Sequence, residues 1–293
     1  MDHYPVMAPE VIDYLAVKPE GVYLDATAGL GGHTREIARR LTTGFVIASD
    51  RDAESLEKAR RSLLELGGRV RFTLGEFSTL REGLRESGVE RVNGLVADLG
   101  VSRYQLMTPE RGFSLSTDGP LDMRMNQSAG TTAADLVNQS AEKALADLIY
   151  QFGEERRARK LARAIVRARP IRSTLHLAGV VERAAPRTGR LHPATKVFMA
   201  LRIAVNDELG QLDRLLALAP ELTRAGGRIV VISFSSLEDR KAKEKFRELG
   251  RQGRATVLTK HPVRPSGAEV EANPPSRSAK LRAVEMRTDI RTD

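Results

Sequence analysis

The stretch "DATAGLGGHT", residues 25–34, follows the short apolar run "GVYL" and precedes "REIARRL". Strand, glycine turn and helix in that order can hold a nucleotide at the carboxyl end of a parallel sheet. The surrounding sequence extends the pattern. "VYLDA" (22–26), "GFVIASD" (44–50), "VRFTLG" (70–75) and "GLVADLG" (94–100) each read as a buried strand. Helical spacing fills the gaps between them. "DAESLEKARRSLLELGG" (52–68) carries Leu56, Ala59, Leu63 and Leu66 at three- and four-residue steps and closes on Gly67 and Gly68. Alternating strands and helices predict an α/β fold with a doubly wound parallel sheet.

The next strand, "GGRIVVISF", begins at Gly226, more than a hundred residues after Asp98. A crossover needs only about a dozen, so the spacing predicts an insertion. Residues from about 104 to 205 show helical patterns and no convincing strand: "TAADLVNQSAEKALADLIYQFG", "EERRARKLARAIVRAR", "TLHLAGVVERAA" and "ATKVFMALRIAVNDELGQLDRLLALA". The expected division is a discontinuous sheet domain, residues 1–104 and 206–293, interrupted by a small helical domain, residues 105–205, that recognises the substrate. "ATVLTK" and "LRAVEMRT" read as the last two strands, joined by the Pro/Ser/Gly loop "RPSGAEVEANPPSRS".

The 293 residues include no cysteine, which excludes a disulfide framework, a thiolate zinc site and a cysteine nucleophile. The five histidines (His3, His33, His176, His192 and His261) are scattered without metal spacing, so no metal is expected. The opening "MDHYPVMAPEV" does not read as a signal peptide, and no apolar run approaches the roughly 18 residues of a spanning helix. A cytoplasmic protein without a membrane partner is the expectation. Net charge is +9, and from Arg240 to Asp293 there are 14 Lys/Arg against 7 Asp/Glu. "RRARKLARAIVRARPIR" (156–172) is a second basic stretch. Each alone is as readily a solvated face; together they point to a polyanionic partner, nucleic acid.

The glycine turn is not the dinucleotide fingerprint, because Thr34 stands at its third glycine position after Gly29 and Gly31. Asp25 and Asp98 end two strands beside the same crevice, where a pyrophosphate would meet like charge. No Gly-Lys pair is present for a phosphate-loop NTPase. S-adenosylmethionine fits better. Its sulfonium and ammonium are cationic, it has no phosphate, and its carboxylate suits the amides near Gly32 and His33. Asp50, 21 residues after Gly29 at the end of the second strand, is placed to accept ribose hydroxyls, while Asp52 is the better helix cap. Phe77 either lies against the adenine or packs in the core.

"HYPVMAPEV", "DATAGLGGHT", "DLGVS", "RGFSLSTDGPLDMRM", "GEERRARKLARAI", "HPATKVFMALRIAVNDEL", "GGRIVVISFSSLEDR" and "NPPSRSAKLR" resemble the bacterial small-subunit rRNA cytosine-N4 methyltransferases, the MraW family, from about residue 3 to residue 285. The resemblance implies a class I methyltransferase (Rossmann-like) sheet with an inserted helical domain. It implies methylation of the exocyclic N4 of a cytosine near the decoding centre of 16S rRNA, with the small ribosomal subunit as partner and a homodimer left open. Carried over by position, its cofactor contacts fall on Gly31, Gly32, His33, Asp50, Phe77, Asp98 and Gln105. The chain departs from the family pattern at Arg103, at Lys196, Val197 and Met199, and at Ser235, where the pattern has a histidine.

Transfer to an exocyclic amine needs an acceptor that aligns it and bears its developing charge. Asp98 is the candidate catalytic residue, orienting the amine or the cofactor. "RGFSLSTDGPLDMRM" (111–125) reads as a polar lid, or alternatively as an interdomain brace. A methyltransferase of another RNA or DNA base and a non-catalytic RNA-binding protein stay open beside this reading.

Overall fold

Residues 5–128, 130–186 and 192–287 are described in a computed structural model of the chain; His3, at the start of the first family motif, lies outside them. Seven apolar runs become strands: β1 (Val22–Asp25), β2 (Phe45–Asp50), β3 (Val70–Leu74), β4 (Val92–Asp98), β5 (Thr223–Ser233), β6 (Ala255–Val257) and β7 (Lys280–Met286). They form one sheet in the order β3-β2-β1-β4-β5-β7-β6. The first five are parallel, and β7 runs antiparallel between β5 and β6. The winding direction reverses between β1 and β4, so a crevice opens beyond their carboxyl ends.

The chain divides into two compact units, one of Met1–Gly100 with Leu209–Asp293 and one of Val101–Glu208. The sequence reading sets the limits of the second at 105 and 205. In the first unit both sheet faces are covered. Alternate residues along each strand go to opposite sides: Tyr23, Val46, Ala48, Val96, Val230 and Ile232 into one core, and Leu24, Ile47, Leu95, Ala97, Ile229 and Val231 into the other. A strand buried on both faces reads as a continuous apolar run, which is why these strands are visible in the sequence. Each fully buried Leu, Ile or Val contributes roughly 1.5–3 kcal/mol.

The helices before the insertion are α1 (Ala8–Leu15), α2 (Gly32–Ala38), α3 (Ala53–Ser62) and α4 (Leu80–Glu86). The expected helix over 52–68 stops early. It gives way at Ser62 to a tighter turn over Leu64–Arg69, in which Gly67 takes φ 55°. The second unit holds α5 (Arg103–Met107), α6 (Ala133–Gln139), α7 (Glu142–Gly153), α8 (Ala158–Arg167), α9 (Thr174–Ala184) and α10 (Thr195–Val205). Its core includes Leu145, Ile149, Leu161, Ile165, Val181 and Leu201. The chain continues through α11 (Glu208–Leu222), α12 (Ser236–Arg251) and α13 (Gly267–Ala272). The continuous helical pattern expected from 194 to 219 breaks between α10 and α11. There Asp207 adopts the left-handed φ of 46°, and Asn206 turns inward. Its Oδ1 accepts the Met125 amide at 2.8 Å, and its Nδ2 donates to the Met123 carbonyl at 2.7 Å and the Arg202 carbonyl at 2.9 Å.

Those hydrogen bonds revise the reading of residues 111–125. Phe113, Leu121, Met123 and Met125 belong to the helical unit's own core. Arg111 is 2% exposed and donates to the carbonyls of Arg124 and Met125. Asp122 pairs with Arg124, and Arg202 pairs with Glu208 through two hydrogen bonds of 2.7 and 2.8 Å. The segment is therefore built into the core of its own unit. Apolar residues at 113, 121, 123 and 125 supply the burial that a polar count of the stretch overlooks.

Candidate active site

The crevice is built from the first glycine turn. Gly29 and Gly31 take φ values of 52° and 87°, and Gly31 sits just before α2. A side chain at 31 would be strained by that φ and would also meet the Leu63 side chain at 2.6 Å. The turn is fastened to the end of β2. The Gly29 amide donates to Asp50 Oδ2 at 2.7 Å, and the Asp52 amide donates to Asp50 Oδ1 at 2.9 Å. Burial pushes the Asp50 carboxyl up to about 6 against those two hydrogen bonds, which favour its ionised form. Asp52, as expected, caps α3, accepting the amides of Glu54 and Ser55.

Asp25 has a different task from the one the sequence implies. It is fully buried and accepts the Thr34 hydroxyl at 2.7 Å and the Thr27 amide at 3.2 Å. Burial raises its carboxyl above the usual range despite nearby His33 and both hydrogen bonds. Thr34, read from the sequence only as a missing glycine, is therefore the partner of a buried acid. Thr27 also ties β1 to β4, because its hydroxyl accepts the Asp98 amide at 2.6 Å. Neither threonine stood out beforehand. The signal available was their position on either side of the turn, two and nine residues after Asp25.

His33 and Asp98 meet at the centre, with His33 Nε2 3.5 Å from Asp98 Oδ2. The imidazole is 5% exposed. Burial opposes its charge, but Asp98, Asp25 and Glu269 together hold its pKa above the ordinary value. Glu269, on α13, accepts the Met7 amide at 2.8 Å, and burial raises its own carboxyl. The sequence reading missed it, since the Pro/Ser/Gly loop around it gives no sign of folding back. Both imidazole nitrogens and Asp98 Oδ1 are buried and have no hydrogen-bond partner among the described residues. Buried polar atoms are nearly always satisfied, so their grouping marks a place where a ligand's polar atoms belong.

The structure thus brings together Gly31, Gly32, His33, Asp50 and Asp98. Phe77 lies in a short turn after β3, half-buried against the core on one sheet face. Gln105 belongs to the second unit, where its Oε1 accepts the Ser102 amide at 2.9 Å and the Ser102 hydroxyl accepts its amide at 3.2 Å. That is a capping box at the start of α5. Ser235 has the same function on α12. Its hydroxyl accepts the Glu238 amide at 3.2 Å, while Glu238 Oε2 accepts the Ser235 and Phe234 amides.

A family model described as the MraW methylase family matches residues 1–287. The chain belongs to the MraW methylase family. Among curated relatives, ribosomal RNA small subunit methyltransferase H of Solibacter usitatus is 67% identical over 285 residues, covering 97% of this chain and 100% of the relative. The proteins of the same name from Acidobacterium capsulatum and Koribacter versatilis are 54% and 49% identical, covering 97% and 96% of this chain and 98% and 93% of their own lengths. The methylase uses S-adenosylmethionine. The crevice suits that molecule: the carboxylates of Asp50 and Asp98 match its cationic groups and ribose hydroxyls, and the unsatisfied atoms of His33 and Asp98 offer further polar contacts. Two of the methylase's most distinctive motifs, "DGPLDMRM" and "ALRIAVNDEL", hold its helical unit together through Asp122, Arg124, Arg202, Asn206 and Glu208. No described helix is long and apolar enough to cross a membrane.

Its basic stretch, 156–172, is divided in purpose. Arg157 pairs with Glu155, and Arg169 donates to the carbonyls of Val137 and Ser140. Arg156, Arg159, Lys160, Arg163 and Arg167 form one exposed stripe on and beside α8, opposite buried Leu161, Ala162 and Ile165.

Proposed function

We propose that this methylase transfers a methyl group to the exocyclic N4 of a cytosine in 16S rRNA, near the decoding centre of the small ribosomal subunit, in the bacterial cytoplasm. The observation that carries the reading is the pair of His33, buried at the start of α2, and Asp98, at the end of β4, with both imidazole nitrogens and Asp98 Oδ1 buried and without a hydrogen-bond partner among the described residues. The names of relatives of up to 67% identity supply the class of RNA. Bound S-adenosylmethionine supplies an electrophilic methyl on a sulfonium. Gly31 and Gly32 would leave room for its methionyl end, Asp50 would accept the ribose hydroxyls, and Phe77 would face the adenine; the family pattern adds Gln105. Asp98 accepts an N–H of the cytosine amine through Oδ1. That bond would orient a poor nucleophile toward the methyl group. It also stabilises the positive charge that grows on nitrogen as the bond forms. Asp98 then takes the surplus proton or passes it to water. His33 Nε2, 3.5 Å from the other carboxylate oxygen, would favour the ionised form of Asp98 when its ring is protonated. The helical unit recognises the substrate around the target. The base must be unstacked to reach the crevice, which favours a single-stranded or splayed nucleotide.

Methylation at C5 of cytosine normally begins with covalent attack by a cysteine, and this chain has none. The test is mass spectrometry of nucleosides from small-subunit rRNA incubated with the protein and labelled cofactor. Label is expected in N4-methylcytidine and absent after Asp98→Ala. Label in 5-methylcytidine, in an adenosine derivative or nowhere overturns the reading.

A further inference from the structure

A second concentration of charge lies at the opposite end of the sheet. A cleft of about 790 Å³ opens beside the amino ends of β4 and β5. Arg81, Arg85, Arg91, Arg254 and Arg287 line it. They come from α4, the lead into β4, the lead into β6 and the exit from β7, so only the folded sheet assembles them. Two are already engaged. Arg81 pairs with Glu221, and Arg287 donates to the Thr256 hydroxyl at 2.9 Å. Arg85, Arg91 and Arg254 are exposed and have no carboxylate partner among the described residues. Glu90 is the other acid on the lining. On other helices Arg40, Arg61 and Lys143 each face a carboxylate four residues away. Five arginines against Glu90 and Glu221 leave an excess of positive charge on one lining; like charges repel, and the arrangement becomes favourable when an anion enters.

We infer that this cleft grips the phosphate backbone of the same rRNA whose cytosine enters the crevice; the inference rests on the rRNA reading above. Charge complementarity selects the occupant. Guanidinium forks match phosphate oxygens in pairs, and several forks along one groove match a repeating anion better than a single small one. Position sets the kind of RNA. β4 runs from the cleft at Val92 to the crevice at Asp98, seven residues or roughly 20 Å. A short strand held in the crevice does not reach the cleft, whereas a folded subunit presents backbone at both. The cleft thereby favours assembled or folded rRNA over isolated fragments, and it does so without reading sequence.

The test uses the full chain with Arg85→Glu, Arg91→Glu and Arg254→Glu combined, and a milder triple Arg→Gln variant in case charge reversal impairs folding. KM and kcat are measured on isolated small subunits between about 50 and 200 mM salt, alongside affinity for S-adenosylmethionine and for a short single-stranded RNA containing the target cytosine. KM on subunits should rise at least tenfold, and the salt slope should fall by roughly two to three, about one for each phosphate no longer neutralised. The Gln variant should move the same way by less. Cofactor affinity, kcat and binding of the short RNA should stay as in wild type. An unchanged KM and slope on subunits overturns the cleft as an RNA site while leaving methyl transfer to rRNA intact. Equal losses on subunit and short RNA also overturn it, as does protection of these arginines from chemical modification by poly-glutamate but not by subunits. Wild-type protein that methylates no small-subunit rRNA sinks the underlying reading instead.

Discussion

Asp50 has two roles that pull against each other. Its carboxyl anchors the glycine turn, yet burial raises it from 3.8 to about 6, a penalty of roughly 3 kcal/mol on the ionised form. Because the folded pKa lies above the unfolded one, this penalty is present at neutral pH and is relieved as pH falls through about 6. The proposed ribose contact needs the ionised form, so cofactor affinity should fall over the same range. Thermal melts from pH 7.5 to 5 should show the stabilisation by saturating S-adenosylmethionine shrinking toward the acid end. A constant gap would remove Asp50 from the ribose site. Asp50→Ala should weaken binding by roughly 1.5–3 kcal/mol by titration calorimetry. The place of Asp50 at the end of β2, beside the glycine turn, was legible because its distance from Gly29 is a property of the chain. The Asp25–Thr34 bond and the approach of Glu269 were not. Each depends on where a loop side chain turns once the sheet has formed, and neither has a periodic signature.

Among the elements, α12 shows how a departure from a family pattern is absorbed. Ser235, standing where the pattern has histidine, is a helix cap with a reciprocal partner in Glu238. Ser235→Ala should therefore cost about 1 kcal/mol in denaturant unfolding and leave turnover per folded molecule near wild type. A fall of more than tenfold in kcat without loss of folded protein would make Ser235 part of the chemistry. At the α10–α11 junction, Asn206→Ala removes three hydrogen bonds and leaves buried groups of Met123 and Met125 unpaired. A loss of roughly 2–4 kcal/mol is expected, and a change below about 0.5 kcal/mol would show that the junction tolerates the gap. The strands could be read in advance because burial on two faces writes them as apolar runs. The junction could not, because the helical pattern on either side has the same period and only the asparagine's inward turn breaks it.

At the scale of the whole molecule, charge sets the approach of a polyanion. The exposed stripe on α8 should follow RNA phosphates, so Arg159→Glu with Arg163→Glu should flatten the salt dependence of RNA binding. A slope identical to wild type would place the RNA on another face. The basic balance was plain in the sequence, but its division was not. Arg157 and Arg169 look the same as their neighbours until the fold shows them bound to Glu155 and to backbone carbonyls. The strand order also has a temporal side. β4 finally lies between β1 and β5, yet 125 residues separate Asp98 from Thr223. At translation rates of about 5–20 residues per second, roughly 6–25 s pass before its second neighbour is synthesised. During that interval the emerging chain carries an apolar strand, with Val92, Leu95, Val96 and Ala97 destined for burial, on an open sheet edge of the kind that invites pairing with other chains. The helical insertion is completed in the same interval. Nascent chains stalled before residue 223 should therefore aggregate or hold chaperones, and chains released after 286 should not.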